Sequence, residues 1–209
     1  MLVIKAIQFA ATKHIGQIRR GSGLPYVTHT IIVMELIQKY KGCSTHIGEL
    51  KCAALLHDTL EDTDCNYKEL EREFGPMVAS IVLELTSDEE MIKKIGKNEY
   101  LKKKMVEMSR YAFILKLLDR YSNCMDNPTT KYRLATIELM AYLLKNRKDI
   151  TERQINIIKE IKNVCLEEIE PEEEEGPLLE NATLVVEGES QLVDNKVTLI
   201  GAPEAKEAK

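Results

Sequence analysis

Residues 55–63 read LLHDTLEDT. The stretch joins an apolar helical run, ELKCAALL, to His57, Asp58, Glu61 and Asp62 with no intervening linker. Adjacent residues on a helix point about 100° apart, so His57 and Asp58 can face one point only where the helix ends and the chain bends. Carboxylates set against an apolar wall need a cation or hydrogen-bonding partners. The alternative for His57-Asp58 alone is a hydrogen-bonded pair closing a helix.

Two residues elsewhere extend the pattern. His29, in PYVTHT, opens a second helix just after a proline-containing loop. Asp119 sits inside the apolar run FILKLLDRYSN, flanked by Ile114, Leu115, Leu117 and Leu118. Each has a bland reading alone: His29 as a first-turn helix residue, Asp119 as the partner of Lys116 or Arg120. Together, His29, His57, Asp58 and Asp119 form a two-imidazole, two-carboxylate set. Such N/O donors suit Mn²⁺, Fe²⁺, Zn²⁺ or Mg²⁺, and the absence of thiolate argues against a structural zinc site. His14 reads as a packing or supporting residue, and His46 as a surface residue in a helix's first turn.

The rest of the chain is read outward from this centre as all-α. Apolar residues make up 44% and aromatics 5%, with no Trp, which favours helices packed on helices over a β-sandwich. The patterning predicts about seven to nine helices. In the first, over residues 1–16, Ile4, Ile7, Ala11 and Ile15 form the apolar face. RRGSGLPYV is a loop. Helices follow at about 29–41 and from Ser44 or Thr45 through ELKCAALLHD. Asn66 caps YKELEREF, which Gly75 closes, and Pro76 opens MVASIVLEL. Residues 88–108 are charged and helical, RYAFILKLLDRYSN is a long apolar helix, and two more lie near 131–146 and 151–165. The expected metal-dependent domain covers 1–165. Residues 166–180, with the run EEIEPEEEEGP, are an acidic linker. Residues 181–209 form either a small β-hairpin, from ATLVVEG and KVTLIG, or a disordered tail.

Charge divides the same way. Residues 166–209 carry 13 acidic and 3 basic side chains; residues 1–165 carry 21 and 26, a net of +5. A mildly basic body attracts a small polyanion such as a nucleotide. No Lys/Arg stripe with interleaved aromatics points to nucleic acid. Gln17, Arg19 and Arg20 precede a glycine loop and could clasp phosphates, or form a solvated basic loop. The lysines at 93, 94, 97 and 102–104 read as a solvated face. Five cysteines without a CxxC pair read as cytosolic thiols. No apolar run reaches 18 residues and the N-terminus lacks signal-peptide character, so a cytoplasmic protein with no membrane contact is expected. Oligomeric state is not readable.

FAATKHIGQIRRGSGLPYVTHT, AALLHDTLEDT, EFGPMVASIVLELTS and ILKLLDRYSN, in that order, resemble the hydrolase domain of the Rel/Spo family, above all its stand-alone small alarmone hydrolases. The resemblance covers about residues 1–146. It implies an HD-domain helical fold and Mn²⁺-dependent 3′-pyrophosphohydrolysis of guanosine 3′,5′-bis(diphosphate), ppGpp. By motif, it implies His29, His57, Asp58 and Asp119 as metal ligands and Glu61 and Asp62 as the pair that positions and activates water. Arg19, Arg20 and Asn123 would contact the nucleotide. Three positions depart from the family: Thr30 where proline is usual, Ser122 where histidine is frequent, and Met125 where arginine is common. The departures bear on substrate, so a ppApp-like nucleotide or NADPH is the alternative. A nucleotide-binding module without turnover is the alternative outside enzymes.

Overall fold

A computed structural model describes residues 1–167. The expected linker and hairpin-or-disordered tail lie outside the described residues. Among those described there are eleven helices and no strand, more helices than patterning predicts because two short ones interrupt the polar stretches. They are α1 (Leu2–Lys13), α2 (Val27–Lys41), α3 (Ile47–Leu56), α4 (Thr59–Asp62), α5 (Tyr67–Phe74), α6 (Pro76–Leu85), α7 (Glu89–Ile95), α8 (Lys97–Glu107), α9 (Arg110–Cys124), α10 (Thr130–Asn146) and α11 (Glu152–Glu167).

The core is built around α3 and α9. In α3, Leu50 and the whole run Cys52–Leu56 are buried, so the C-terminal half of this helix is apolar all round and must be enclosed. Helices α1, α2 and α6 enclose it, and α2 also packs on α9. In α9, Phe113, Leu115, Leu117 and Leu118 are fully or almost fully buried, and α11 covers another side. The Sγ atoms of Cys124 and Cys165 meet 3.3 Å apart as free thiols where α9 and α11 pack.

The expected face of α1 is corrected. Ile4 and Ile15 are exposed, at 59% and 83%, whereas Ala6 and Ala10 are fully buried, with Val3, Ile7 and Phe9 packed beside them. Two apolar stripes compete on this helix. The one carrying small residues wins because it brings the α1 backbone close to α3, and it leads on to buried His14 just past the helix end.

Local signals explain the boundaries. The Asn66 side chain accepts from the Glu69 amide and caps α5. Asp88 and Ser109 cap α7 and α9 in the same way. The loop between α1 and α2 is closed by one isolated antiparallel bridge, Ile18 with Pro25. Within it Gly21 lies against the chain after α9, and a Cβ there would sit 1.9 Å from the Asp126 carbonyl oxygen.

Gly75 joins α5 to α6 at φ 86°, ψ 166°, a region open essentially to glycine. A Cβ at this position would meet nothing within 4 Å, so the constraint is purely one of backbone. Gly75→Ala should therefore cost about 1–3 kcal/mol in urea unfolding. A loss below about 0.5 kcal/mol would show that the junction relaxes.

Candidate metal centre and nucleotide cleft

The bend that the HD pair requires is present. Helix α3 ends at Leu56, His57 is its C-cap, and Asp58 is the N-cap residue of the one-turn α4. His29 lies in the first turn of α2 and Asp119 in the second half of α9. Three packed elements thus deliver four side chains to one buried point. His29, His57 and Asp119 offer donor atoms within 4.8 Å of one another. Asp58 joins them: its Oδ2 is 2.9 Å from His57 Nε2 and 3.8 Å from His29 Nε2. Asp119 Oδ1 is 3.2 Å from His29 Nε2 and 3.6 Å from His57 Nε2.

These separations test whether an ion fits. Donors placed about 2.1 Å from a common ion lie roughly 3.0–3.4 Å apart, close to the 2.9–3.8 Å found. Nε2 of both His29 and His57 is buried without a hydrogen-bond partner. Both Nδ1 atoms, by contrast, are engaged, His57 with the Ala54 carbonyl at 2.8 Å and His29 with Ser122 Oγ at 2.9 Å. The carbonyl can only accept, so His57 keeps a proton on Nδ1 and its Nε2 is the nitrogen that faces the centre, the one that a metal-binding imidazole uses.

The charges around this point oppose their own burial. Burial works against His57 carrying a proton, but Asp58 and Asp119 outweigh it and push its pKa up to about 10. Burial would raise Asp58, yet the adjacent His57 holds it well below the usual carboxylate range. Asp119 is held low against its own burial by Lys116 and the two imidazoles. The Lys116 ammonium lies 3.0 Å from Asp119 Oδ2, and its side chain is only 16% exposed. The two readings of Asp119 therefore coexist, one oxygen on Lys116 and the other on the histidines. Proton and divalent cation are alternatives in such a cage.

A supporting ring surrounds the four. The Tyr26 hydroxyl donates to Asp58 Oδ2 at 2.6 Å, and burial followed by Asp58 raises its pKa far above the ordinary phenol value. Its ring stacks on His14, whose Nδ1 meets Gln17 Oε1 at 2.8 Å. Gln17 Nε2 donates to the Asp62 backbone oxygen at 2.7 Å. Gln17 is thus a strut, in place of the phosphate contact expected for it. Tyr26 stands one helical turn before His29, the signal that could have found it.

Glu61 and Asp62 project from α4 beside the cage. Glu61 Oε2 accepts from the Ser87 amide at 2.9 Å. Asp62 is pushed upward by burial, then by Asp58 and Glu61. Asn123 Nδ2 donates to Asp119 Oδ1 at 2.7 Å, and its Oδ1 accepts from Arg19 Nη2 at 2.9 Å. Arg19 Nε also donates to Asp126 at 2.7 Å, and the guanidinium lies over Tyr26. Most of Arg19 is therefore spent fastening the loop to α9. Arg20, which is exposed, keeps the freer guanidinium.

Two cavities meet beside this point. One, about 540 Å³, is lined by Arg19, Arg20, Tyr26, Asn123, Asn127 and Tyr132 among others. The second, about 230 Å³, is lined by Glu61, Ser87, Lys97, Lys116, Asp119 and Arg120 with the shared Asn123 and Tyr132. Lys97, expected on a solvated face, is exposed and also lines this cavity. Lys102, from the same stretch, pairs with Glu99 and Glu138. Arg120 and Tyr132 carry no sequence signal; the Arg120 guanidinium lies over the Tyr132 ring, a contact between two helices that local patterning does not reveal. A larger cavity of about 810 Å³, between Lys41, Arg110 and Gln154, contains none of the expected site residues.

The HD domain family matches residues 6–120. The chain belongs to that family. Among curated proteins it is similar to the guanosine-3′,5′-bis(diphosphate) 3′-pyrophosphohydrolase MESH1 of Drosophila melanogaster, 36% identical over 124 residues, 59% of this chain and 68% of that one. The Homo sapiens protein of the same name is 37% identical over 125 residues, with the same coverage. The Aquifex aeolicus guanosine-3′,5′-bis(diphosphate) 3′-pyrophosphohydrolase is 37% identical over 130 residues, 57% of this chain and 17% of the relative. A solved structure described as a metazoan ortholog of SpoT that hydrolyzes ppGpp superposes with TM-score 0.65 at 28% identity. It covers 78% of this chain and 94% of its own.

Removal of Lys116 should expose the cage's charge imbalance. Lys116→Met should destabilise the metal-free chain by about 2–3 kcal/mol. That is less than the 3–5 kcal/mol for an isolated buried pair, because His57 can hold a proton against Asp119. Added Mn²⁺ should raise the urea midpoint more in the variant than in the parent. Equal midpoints for the two chains without metal would show that Asp119 does not depend on the ammonium.

Proposed function

We propose that this protein hydrolyses ppGpp at the 3′ position, releasing GDP and pyrophosphate, with one divalent ion held by His29, His57, Asp58 and Asp119. The observation that carries the reading is the pair of buried, unpartnered imidazole nitrogens facing two carboxylates at ligand spacing. The names of the similar proteins supply the substrate.

When bound, such an ion supplies Lewis acidity and makes a coordinated water easier to deprotonate at neutral pH. Two nitrogen and two oxygen donors without thiolate suit Mn²⁺, Fe²⁺, Zn²⁺ or Mg²⁺, and the resemblance to the Rel/Spo hydrolases points to Mn²⁺ among them. Glu61, tethered by the Ser87 amide, accepts the proton of the attacking water, and Asp62 orients that water. The water oxygen bonds to the phosphorus carried on O3′ and the P–O3′ bond breaks. The proton held by Glu61 then returns to O3′. Arg20, Arg120 and Lys97 face the phosphates and offset their charge. Asn123 and Tyr132, shared by both cavities, lie where the ribose joins the nucleoside to its 3′ phosphates. Arg19 acts on the nucleotide mainly by holding Asn123.

Five cysteines without a disulfide support a reducing, cytoplasmic setting. Among the described residues no helix is long and apolar enough to cross a membrane.

Metal-stripped protein should release no pyrophosphate from ppGpp, and Mn²⁺ should restore turnover more fully than Mg²⁺ or Zn²⁺. A ppApp and NADPH panel in the same assay checks the substrate, and brisk NADPH dephosphorylation without ppGpp turnover would overturn it. Glu61→Gln should lower kcat by about 10²–10⁴-fold, the range for a general base, with bound metal unchanged. A loss below about threefold would remove Glu61 from that role. Arg20→Ala should raise KM for ppGpp by roughly tenfold or more, the worth of one charge-assisted contact.

A further inference from the structure

We propose that Ser122 is the positioning residue for His29, taking the place in this chain of the histidine frequent at that position in the resembling family. The inference rests on the metal reading above and extends it to a residue outside the ligand set. Ser122 is 2% exposed, and its Oγ stands 2.9 Å from His29 Nδ1, 93 residues away in sequence. A serine inside a helix commonly turns its hydroxyl back to the carbonyl four residues earlier. Ser122 has no such bond and points from α9 across to α2.

The contrast with His57 gives the argument its force. His57 is oriented from within its own segment by the Ala54 carbonyl three residues back. The turn that makes it a helix cap therefore also sets its ring. His29 has no equivalent. Its Nδ1 is held by one hydrogen bond, made by a residue of another helix. If Nε2 ligates an ion, Nδ1 must carry the proton, and Ser122 Oγ is the atom placed to accept it. A hydroxyl, unlike a carbonyl, can also donate. Ser122 can therefore keep hold of the ring in either neutral tautomer, so His29 stays aligned before and after an ion arrives. The same α9 turn carries Asp119, three residues earlier, whose Oδ1 faces His29 Nε2 at 3.2 Å. One helix thus fixes both nitrogens of the imidazole, and the spacing of Asp119 and Ser122 sets its plane.

The test measures metal affinity in the full chain, apart from turnover. Competition with a chromophoric chelator should give Ser122→Ala an Mn²⁺ Kd about 10–100-fold weaker than the parent, while Ser122→Thr, which keeps the hydroxyl, recovers most of the loss. At saturating Mn²⁺ the KM for ppGpp should be nearly unchanged in both variants. In the parent loaded with diamagnetic Zn²⁺, ¹⁵N shifts of the His29 ring should report a proton on Nδ1, and this readout needs no variant. A folded Ser122→Ala chain with Mn²⁺ affinity within about threefold of the parent would overturn the proposal, as would a Zn²⁺-loaded His29 protonated on Nε2. Failure of the parent itself to bind any of these ions would instead bring down the metal reading, so the two failures are distinguishable.

Discussion

Two carboxylates and two imidazoles gathered at one buried point are the constraint on which this molecule turns. Burial alone would drive Asp58 and Asp119 towards neutrality; both are nonetheless held ionised by positive charge brought within hydrogen-bonding distance. Helix α3 must stop at Leu56 so that His57 and Asp58 can turn to one point. Helix α2 must begin close to His29, and the α1–α2 loop must fold over so that Tyr26 reaches Asp58. Helix α9 must run alongside, close enough for Asp119 to meet both rings. A centre that demands four partners from three elements leaves little freedom in how those elements pack.

Much of this was legible in the residues and the rest was not, for definite reasons. His57-Asp58 announced a helix end because two adjacent polar groups after CAALL cannot both face a core from a continuing helix. Asp119 was visible because a lone carboxylate inside ILKLLDR contradicts its neighbours. Asn66, Gly75 and Pro76 marked their boundaries through cap and backbone chemistry that acts within four residues. The face of α1 was misread because hydropathy ranks isoleucine above alanine, while close helix approach selects the smaller side chain. Arg19 was expected on the substrate; its partners Asn123 and Asp126 lie more than 100 residues away, beyond the reach of local patterning. Ser122 counted as a departure from a family pattern, and only the packing of α9 on α2 shows what its hydroxyl touches.

The two cavities combine fixed and adjustable side chains. Asn123 and Tyr132 stand between the two cavities, and Asn123 is pinned on both sides, by Arg19 and by Asp119. A nucleotide contacting Asn123 therefore touches, through a single amide, the carboxylate that also faces the two imidazoles. Met125, where the resembling family commonly has arginine, removes one cation just past the end of α9. Arg20, Lys97 and Arg120 supply positive charge from three other directions.

Helix α9 bears on how long each part of the site persists. Residues 112–118, Lys116 apart, are almost entirely enclosed, and their amides bond within the helix. Exchange of those amide hydrogens with solvent requires something close to global unfolding, whereas the loop's tip, residues 20–25, is exposed and closed at its base by one isolated bridge, so it opens at lower cost. The donors on α9 and α3 thus share the lifetime of the native state, whereas the exposed Arg20 and its neighbouring glycines do not depend on that core for their placement. Motion confined to the loop's tip therefore leaves the four clustered side chains in place.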